Sequence, residues 1–254
     1  MTGETIARVV LIHPALKRRI PPRALRSLRE HRVVSVLQRA KHQLLVIDDG
    51  RALHVHFRMA GDWSIDRVDD VLPRTARAAI EFSGGKRLLL IDPRALSAVT
   101  LVPKGESPFD VLGPDPSSSE FDQAFAAALS RRRGPIKPAL LDQRVAAGVG
   151  NIYAAEALWE AQINPAAPAN SLAPRQVTAL ADFIRVVLDR GRASGKRYRE
   201  GVAALRVYDR EGEPCLRCGT IIARIVQAGR STCYCPHCQS APRPRRRRAI
   251  AAQR

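Results

Sequence analysis

Two knuckles, Cys215-Leu216-Arg217-Cys218 and Cys235-Pro236-His237-Cys238, stand sixteen residues apart in the most basic third of the chain. No other feature limits the local fold as sharply. Two Cys-x-x-Cys turns bring four thiolates to the corners of one tetrahedron, as a structural zinc requires, and the spacing leaves room for a β-hairpin between them. Disulfide pairing is the other use of four cysteines. The sequence shows no signal peptide and carries a fifth cysteine, Cys233, that pairing would leave over, so one structural Zn²⁺ on Cys215, Cys218, Cys235 and Cys238 is the expectation. Cys233 lies two positions before Cys235, on the same face of a strand, and could compete as a ligand. The simpler reading is a small strand residue.

Charge narrows the partner. The 254 residues hold 42 Lys and Arg against 24 Asp and Glu, a net charge of +18 that draws polyanions. Nucleic acid is therefore the expected partner. No apolar run approaches the length that spans a bilayer, and neither a basic amphipathic helix nor a lipidation signal offers a membrane surface, so a cytoplasmic, nucleoid-associated monomer is expected. An aromatic content of 5% argues against holding single strands by base stacking and favours contact with a duplex backbone.

The fold class expected is α+β and multidomain. Residues 1–111 read as an antiparallel β-sandwich, because short β-branched and apolar runs alternate with turn dipeptides, among them Asp49-Gly50 and Gly84-Gly85. The strands are placed at Thr5 to Ile12, Arg32 to Leu37, Gln43 to Ile47, Ala52 to Phe57, Ala79 to Phe82, Arg87 to Ile91 and Leu96 to Val102, with one helix from Pro22 to Glu30. Residues 112–119 are helix-hostile and read as a linker. From 120 to 204 the pattern is helical, with helices at Glu120 to Ser130, Pro138 to Ala146, Asn151 to Gln162 and Leu172 to Arg190. The zinc ribbon occupies 205–240. An Arg-rich tail, 241–254, has nothing apolar to fold around and is expected to be disordered.

One internal segment points to chemistry. In Ile136-Lys137-Pro138-Ala139-Leu140-Leu141-Asp142-Gln143 and Gly148-Val149-Gly150-Asn151-Ile152-Tyr153-Ala154, the glycines permit a tight turn that aims free N–H groups at the start of a helix. That end suits a phosphate, and Asn151 adds a donor. A helical hairpin with glycine in its turn is also common in cores.

Read together with Val207 to Cys215 and Gly229-Arg230-Ser231-Thr232-Cys233-Tyr234-Cys235, this segment resembles the helix-two-turn-helix and zinc finger of the formamidopyrimidine-DNA glycosylase and endonuclease VIII family. The first half is similar more loosely, through Arg39-Ala40-Lys41, His56-Phe57-Arg58-Met59, Asp92-Pro93-Arg94 and Leu112-Gly113-Pro114. The resemblance implies base excision repair: a damaged base is flipped out of duplex DNA, its glycosidic bond is cut, and the strand is nicked by AP lyase chemistry. It implies that Lys41 and Asn151, with Gly150 at the turn, hold phosphates beside the lesion, that Arg230 grips the flipped nucleotide's phosphate, and that Lys137 lies near the lesion pocket. Met59 and Arg94 match the residues that fill the vacated space. Read without the family, Met59 is core filler and Lys41 and Arg94 are strand-end charges.

The departures bear on catalysis. The family's nucleophile is an N-terminal proline amine that forms a Schiff base, and the glutamate after it is the general acid. This chain begins Met1-Thr2-Gly3-Glu4-Thr5 and matches the family only from the strand after its first helix, so no catalytic residue is assigned. Either an internal methionine stands at the start, or a paralogue has lost catalysis and binds DNA or lesions. The first is preferred, since deleting a helix would bare apolar surface. In both cases the chain as written is expected to bind duplex DNA containing damaged bases or abasic sites and to cleave it poorly. Ala95 and Leu96 replace an arginine and a stacking phenylalanine, Thr75 replaces a histidine, and Arg58 replaces a glycine. The stretch from Arg192 to Leu205 is shorter than the loop that caps an oxidised guanine, which favours oxidised pyrimidines or no excision. A zinc-ribbon adaptor of DNA or RNA without enzymatic ancestry is the rival from another class, but it would not need Ile136 to Ala154 and Arg230 together.

Overall fold

The computed structural model describes residues 1–17, 19–193 and 205–241. Residues 194–204 of the short-loop expectation, and the Arg-rich tail from Pro242 on, lie outside them. The chain divides into two compact units between Val111 and Leu112.

The first unit contains β1 (Ile6–Leu11), α1 (Pro14–Lys17), α2 (Pro22–Arg26), β2 (Val33–Arg39), β3 (His42–Ile47), β4 (Ala52–His56), β5 (Asp62–Arg67), β6 (Ala76–Phe82), β7 (Lys86–Ile91) and β8 (Ala98–Val102). They form two four-stranded antiparallel sheets, β1-β6-β7-β5 and β2-β3-β4-β8. Alternation along each strand sends Leu45, Leu53, Val55 and Val99 from one sheet, and Val9, Ala78, Ile80, Leu88 and Leu90 from the other, into one core. Each fully buried aliphatic side chain of this kind contributes roughly 1.5–3 kcal/mol. The sandwich is the expected one, and both glycine turns close hairpins, with Gly50 and Gly85 in the left-handed region at φ +90° and +78°.

Two details differ from the sequence reading. Strand β5 was not expected, because Asp62-Trp63-Ser64-Ile65-Asp66-Arg67 has too few apolar residues; it is an edge strand that pairs only with β7 and needs none on its outer side. Helix α2 ends at Arg26 rather than Glu30. The turn that follows brings Glu30 to φ +70°, where its N–H donates to the Ile6 carbonyl at the start of β1, and the chain runs on into β2.

The second unit holds α3 (Phe121–Ser130), α4 (Ile136–Leu141), α5 (Asn151–Glu160), a 3₁₀ turn (Ala169–Ser171), α6 (Pro174–Ala193) and a hairpin of β9 (Ala223–Gln227) and β10 (Arg230–Tyr234). Phe121, Phe125, Leu140, Val149, Ala157, Leu158, Leu180 and Ile184 fill its main core. Helix α4 begins two residues earlier than expected and stops at Leu141. Pro138 is accommodated in its first turn, where a missing N–H does no harm, and Asp142 leaves helical geometry at ψ 111°. The Asp142 carboxylate then accepts bonds from the Arg144 N–H and from the Arg132 and Arg144 guanidiniums. The segment read as a linker packs onto this unit: Gly113 donates to the Gln143 carbonyl at 2.8 Å, and a Cβ on Gly113 would meet the Arg144 carbonyl oxygen at 2.2 Å. Among the described residues no helix is long and apolar enough to cross a membrane.

Candidate nucleic-acid interface and metal centre

The Sγ atoms of Cys215, Cys218, Cys235 and Cys238 all lie within 4.8 Å of one another, with Cys218 and Cys235 3.5 Å apart. Zinc–sulfur bonds of about 2.3 Å place the corners of a tetrahedron about 3.8 Å apart, so this donor set fits one structural zinc. Hairpin β9–β10 lies between the knuckles, as the spacing predicts. Cys233 is not part of the four-sulfur group; it is buried with Trp159, Val207 and Ile222 in the small core that joins the finger to α5.

A second construction ties the finger to the start of α5. Lys137 is 0% exposed, and its ammonium donates to Asn151 Oδ1 (2.6 Å), the Ser231 carbonyl (3.0 Å) and Thr232 Oγ1 (2.7 Å). Asn151 Nδ2 donates to the same Ser231 carbonyl at 3.2 Å. Burial pushes the Lys137 pKa down to about 8, which still leaves the group mostly protonated at neutral pH. Helix α5 opens on Gly150, which offers no side chain to cap it and has open space where a Cβ would stand. Its first N–H groups are thus free of a capping side chain, as an anion site requires. Gln143 fixes the preceding turn, accepting from the Gly148 N–H at 2.9 Å and donating to the Val149 carbonyl at 2.9 Å, while Gly148 supplies the left-handed residue at φ +90°. Arg230 begins β10, exposed, one residue before the Ser231 carbonyl that both Lys137 and Asn151 hold.

In the first unit the site residues named from sequence stand on turns. Lys41 is exposed in the β2–β3 turn, beside Ala40 at φ +56°. Met59 follows Arg58, at φ +54°, and is 66% exposed, which removes the core-filler reading. Arg94, exposed, precedes Ala95 at φ +52°, and its guanidinium reaches Met59 Sδ at 3.5 Å. Each of the three is therefore chain neighbour to a non-glycine residue in the left-handed region, where side chains raise the energy of the backbone. The structure brings Met59 and Arg94 together, and Lys137 with Asn151.

Three supporting groups escaped the sequence reading. Asp92 is fully buried, and its carboxylate accepts the N–H groups of Arg94 (3.0 Å), Leu96 (2.7 Å) and Ser97 (2.7 Å), which shapes the loop that presents Arg94. Burial pushes its pKa up, but the bonds from Ser97, Arg94 and Leu96 outweigh that and hold it below the usual value. Glu156, on α5, accepts three N–H groups of the strap entering the finger, from Arg206, Val207 and Tyr208, each at 2.9 Å. On the first unit His42 Nδ1 meets His54 Nε2 at 2.9 Å, His54 Nδ1 meets Thr100 Oγ1 at 3.1 Å, and the His42 ring stands edge-on to His56. Burial, then the charge of His42, brings His54 down to about 4; burial, then His42 and Arg58, does the same to His56. The Asp92-Pro93-Arg94 motif carried a signal for the first of these. Nothing in the local sequence marked the other two.

The formamidopyrimidine-DNA glycosylase N-terminal domain model matches residues 1–99, the formamidopyrimidine-DNA glycosylase H2TH domain model matches 112–200, and the zinc finger found in FPG and IleRS matches 212–241. The formamidopyrimidine-DNA glycosylase of Paracoccus denitrificans is 38% identical over 263 residues, covering 94% of each chain; that of Chloroflexus aurantiacus is 40% identical over 222 residues, covering 82% of this chain and 80% of the other. Among solved structures, the Lactococcus lactis enzyme bound non-covalently to DNA containing an AP site superposes with a TM-score of 0.87 at 28% identity, covering 95% of this chain and 94% of that one. The same enzyme with Fapy-dG DNA gives 0.83 at 28% identity over 94% of each. Sandwich, helical unit, four-cysteine finger and full-length similarity agree: this chain belongs to the formamidopyrimidine-DNA glycosylase family.

Proposed function

We propose how this base excision repair glycosylase divides its work on duplex DNA containing a damaged base or an abasic site. Acting as a monomer at the nucleoid, it grips phosphates beside the lesion with the open start of α5 at Gly150 and Asn151, with Lys41, and with Arg230 on the finger. Met59 and Arg94 enter the space that the flipped nucleotide leaves. Lys137 touches no DNA in this reading: its three donors are already engaged, so it positions Asn151 and the finger hairpin. The observation that carries the proposal is this shared knot, in which Lys137 and Asn151 both hold the carbonyl of Ser231, the residue after Arg230, so that the proposed phosphate contacts of Asn151 and Arg230 share one support. Zinc has a structural part only, holding the knuckles that position β9–β10.

The test is duplex binding by Arg230→Ala. Loss of one charge-assisted contact costs on the order of 1–3 kcal/mol, uniformly across sequences and with a shallower salt dependence. Equal affinity of variant and parent at moderate salt removes Arg230 from the clamp.

Borohydride trapping on abasic DNA tests the lyase step, which depends on near-perfect placement of the attacking amine: loss of the adduct in Lys41→Ala would show an internal lysine acting as nucleophile. Ala95 and Leu96, in place of an arginine and a ring, leave the wedge its bulk without its ring, and a side-by-side excision assay on oxidised pyrimidine and oxidised guanine reads what that does to lesion choice.

A further inference from the structure

Trp159, on the last turn of α5, is 5% exposed, and its indole Nε1 is buried with no oxygen or nitrogen acceptor. Buried donors almost always find a partner, so this one calls for an explanation. Cys215, the first of the four zinc ligands, stands in the same small core, and the indole makes no closed hydrogen bond to its sulfur. Both side chains belong to the core between α5 and the finger.

The first knuckle wraps around the same ring. Arg217, between Cys215 and Cys218, lays its guanidinium over the indole at 3.9 Å from the centroid, and donates to the Trp159 carbonyl (2.8 Å) and to Glu160 (3.1 Å). The Arg217 N–H meanwhile points to Cys215 Sγ at 3.5 Å. A thiol is a weak acceptor, whereas a zinc-bound thiolate carries charge and draws N–H donors. Partners of this kind are part of a metal site, because they orient the ligand and tune its basicity.

We propose that Trp159 is the outer-shell donor of the zinc centre: its indole N–H closes on the Cys215 thiolate when zinc is bound, and metal occupancy is thereby felt by α5. The proposal rests on the zinc reading of the four cysteines. Its consequence is mechanical, since the opposite end of α5 carries Gly150 and Asn151. The alternative is that the indole is only packing bulk and its N–H a tolerated defect.

Trp159→Phe separates the two, because it keeps an aromatic ring under Arg217 and removes the N–H. The variant should still bind one zinc per chain, with unchanged far-ultraviolet circular dichroism, but its zinc affinity in chelator competition should fall about 10- to 100-fold. In the unmodified protein, the Trp159 indole N–H resonance should shift when zinc is removed. The Trp63 indole, which donates to Gln43 in the other unit, serves as internal control. A Phe variant with parental zinc affinity, or a Trp159 resonance indifferent to zinc, overturns the proposal. Should the Phe variant not fold, the resonance of the parent still decides. Protein purified without chelator that holds no zinc overturns the zinc reading itself, a different outcome from either.

Discussion

In the sandwich, Lys41, Met59 and Arg94 stand on exposed turns outside the core, whereas in the helical unit Lys137 is fully buried and Asn151 is bonded to the finger. The first arrangement lets the tips change without disturbing the fold. The second ties the start of α5 to the finger hairpin through buried polar bonds. The physical reason lies in what each unit has to bury. Two sheets facing each other fill a core with apolar side chains, while the finger, whose own apolar core is small, is held to α4, to α5 and to the turn after α5 by polar bonds from Lys137, Glu156, Arg217 and Gln239.

The harshest way to break the comparison is through the metal. Chelation or Cys215→Ser should abolish zinc binding and remove hydrogen-exchange protection over β9 and β10, with the strands of the sandwich unaffected, because binding energy of a structural zinc is folding energy. Loss of protection in both units together would show that they are one cooperative body.

Next in size is the contrast between Lys137 and Met59. Lys137→Met leaves Asn151 Oδ1 and Thr232 Oγ1 without their Lys137 donor and the Ser231 carbonyl with Asn151 Nδ2 alone, a loss on the order of 2–4 kcal/mol in denaturant unfolding. Met59→Ala should change stability by no more than about 0.5 kcal/mol while weakening lesion binding. If the two variants cost the same stability, tips and knots are not distinct.

Acid sharpens the contrast further. In the sandwich His54 and His56 titrate near 4 when folded, against about 6.5 unfolded. Between those values the unfolded chain binds protons that the folded one declines, so stability rises with pH in this window and falls as pH drops from about 6.5 to about 4. Exchange rates of the β3 and β4 amides should follow that fall, and His54→Gln should flatten it. An unchanged pH profile in the variant refutes the assignment. In the helical unit Asp142 is held down at about 2, first by the Arg144 side chain, so its contribution is present above about 4 and disappears only as pH falls toward 2.

The smallest effect is expected at a tip. Arg58 is held at φ +54°, where the family pattern has glycine, so Arg58→Gly should relieve strain of about 1–2 kcal/mol against roughly 0.5–1 kcal/mol of added unfolded-state freedom. The net is a stability gain of about 0–1.5 kcal/mol, seen as a slightly higher Tm. A lower Tm would mean that the Arg58 side chain supports the tip.

Much of this was legible before any coordinates, and what was not has a common cause. Knuckle spacing, the short apolar runs of strands β3, β4 and β7 between turn dipeptides, and the glycines at 148 and 150 are local patterns, and a local pattern fixes local geometry. Strand β5 was missed because an edge strand can be polar. Met59 could be read two ways, since sequence gives the residue type but not its exposure. Glu156 and the His42–His54–His56 group left no signal because their partners are far away in the chain or on neighbouring strands.

By itself the sequence determined the order of sandwich, helices and finger, the identity of the four zinc ligands and the basic character that points to nucleic acid, because these follow from composition, period and spacing. Only the tertiary structure decided that Lys137 is a buried brace and that Asp92 and Glu156 hold loops. It also decided that Ser231, eighty residues from Asn151 in the chain, is where the start of α5 and the finger hairpin meet. Hydrogen bonds are satisfied in space, and which buried donor finds which carbonyl depends on a packing that no stretch of sequence encodes alone.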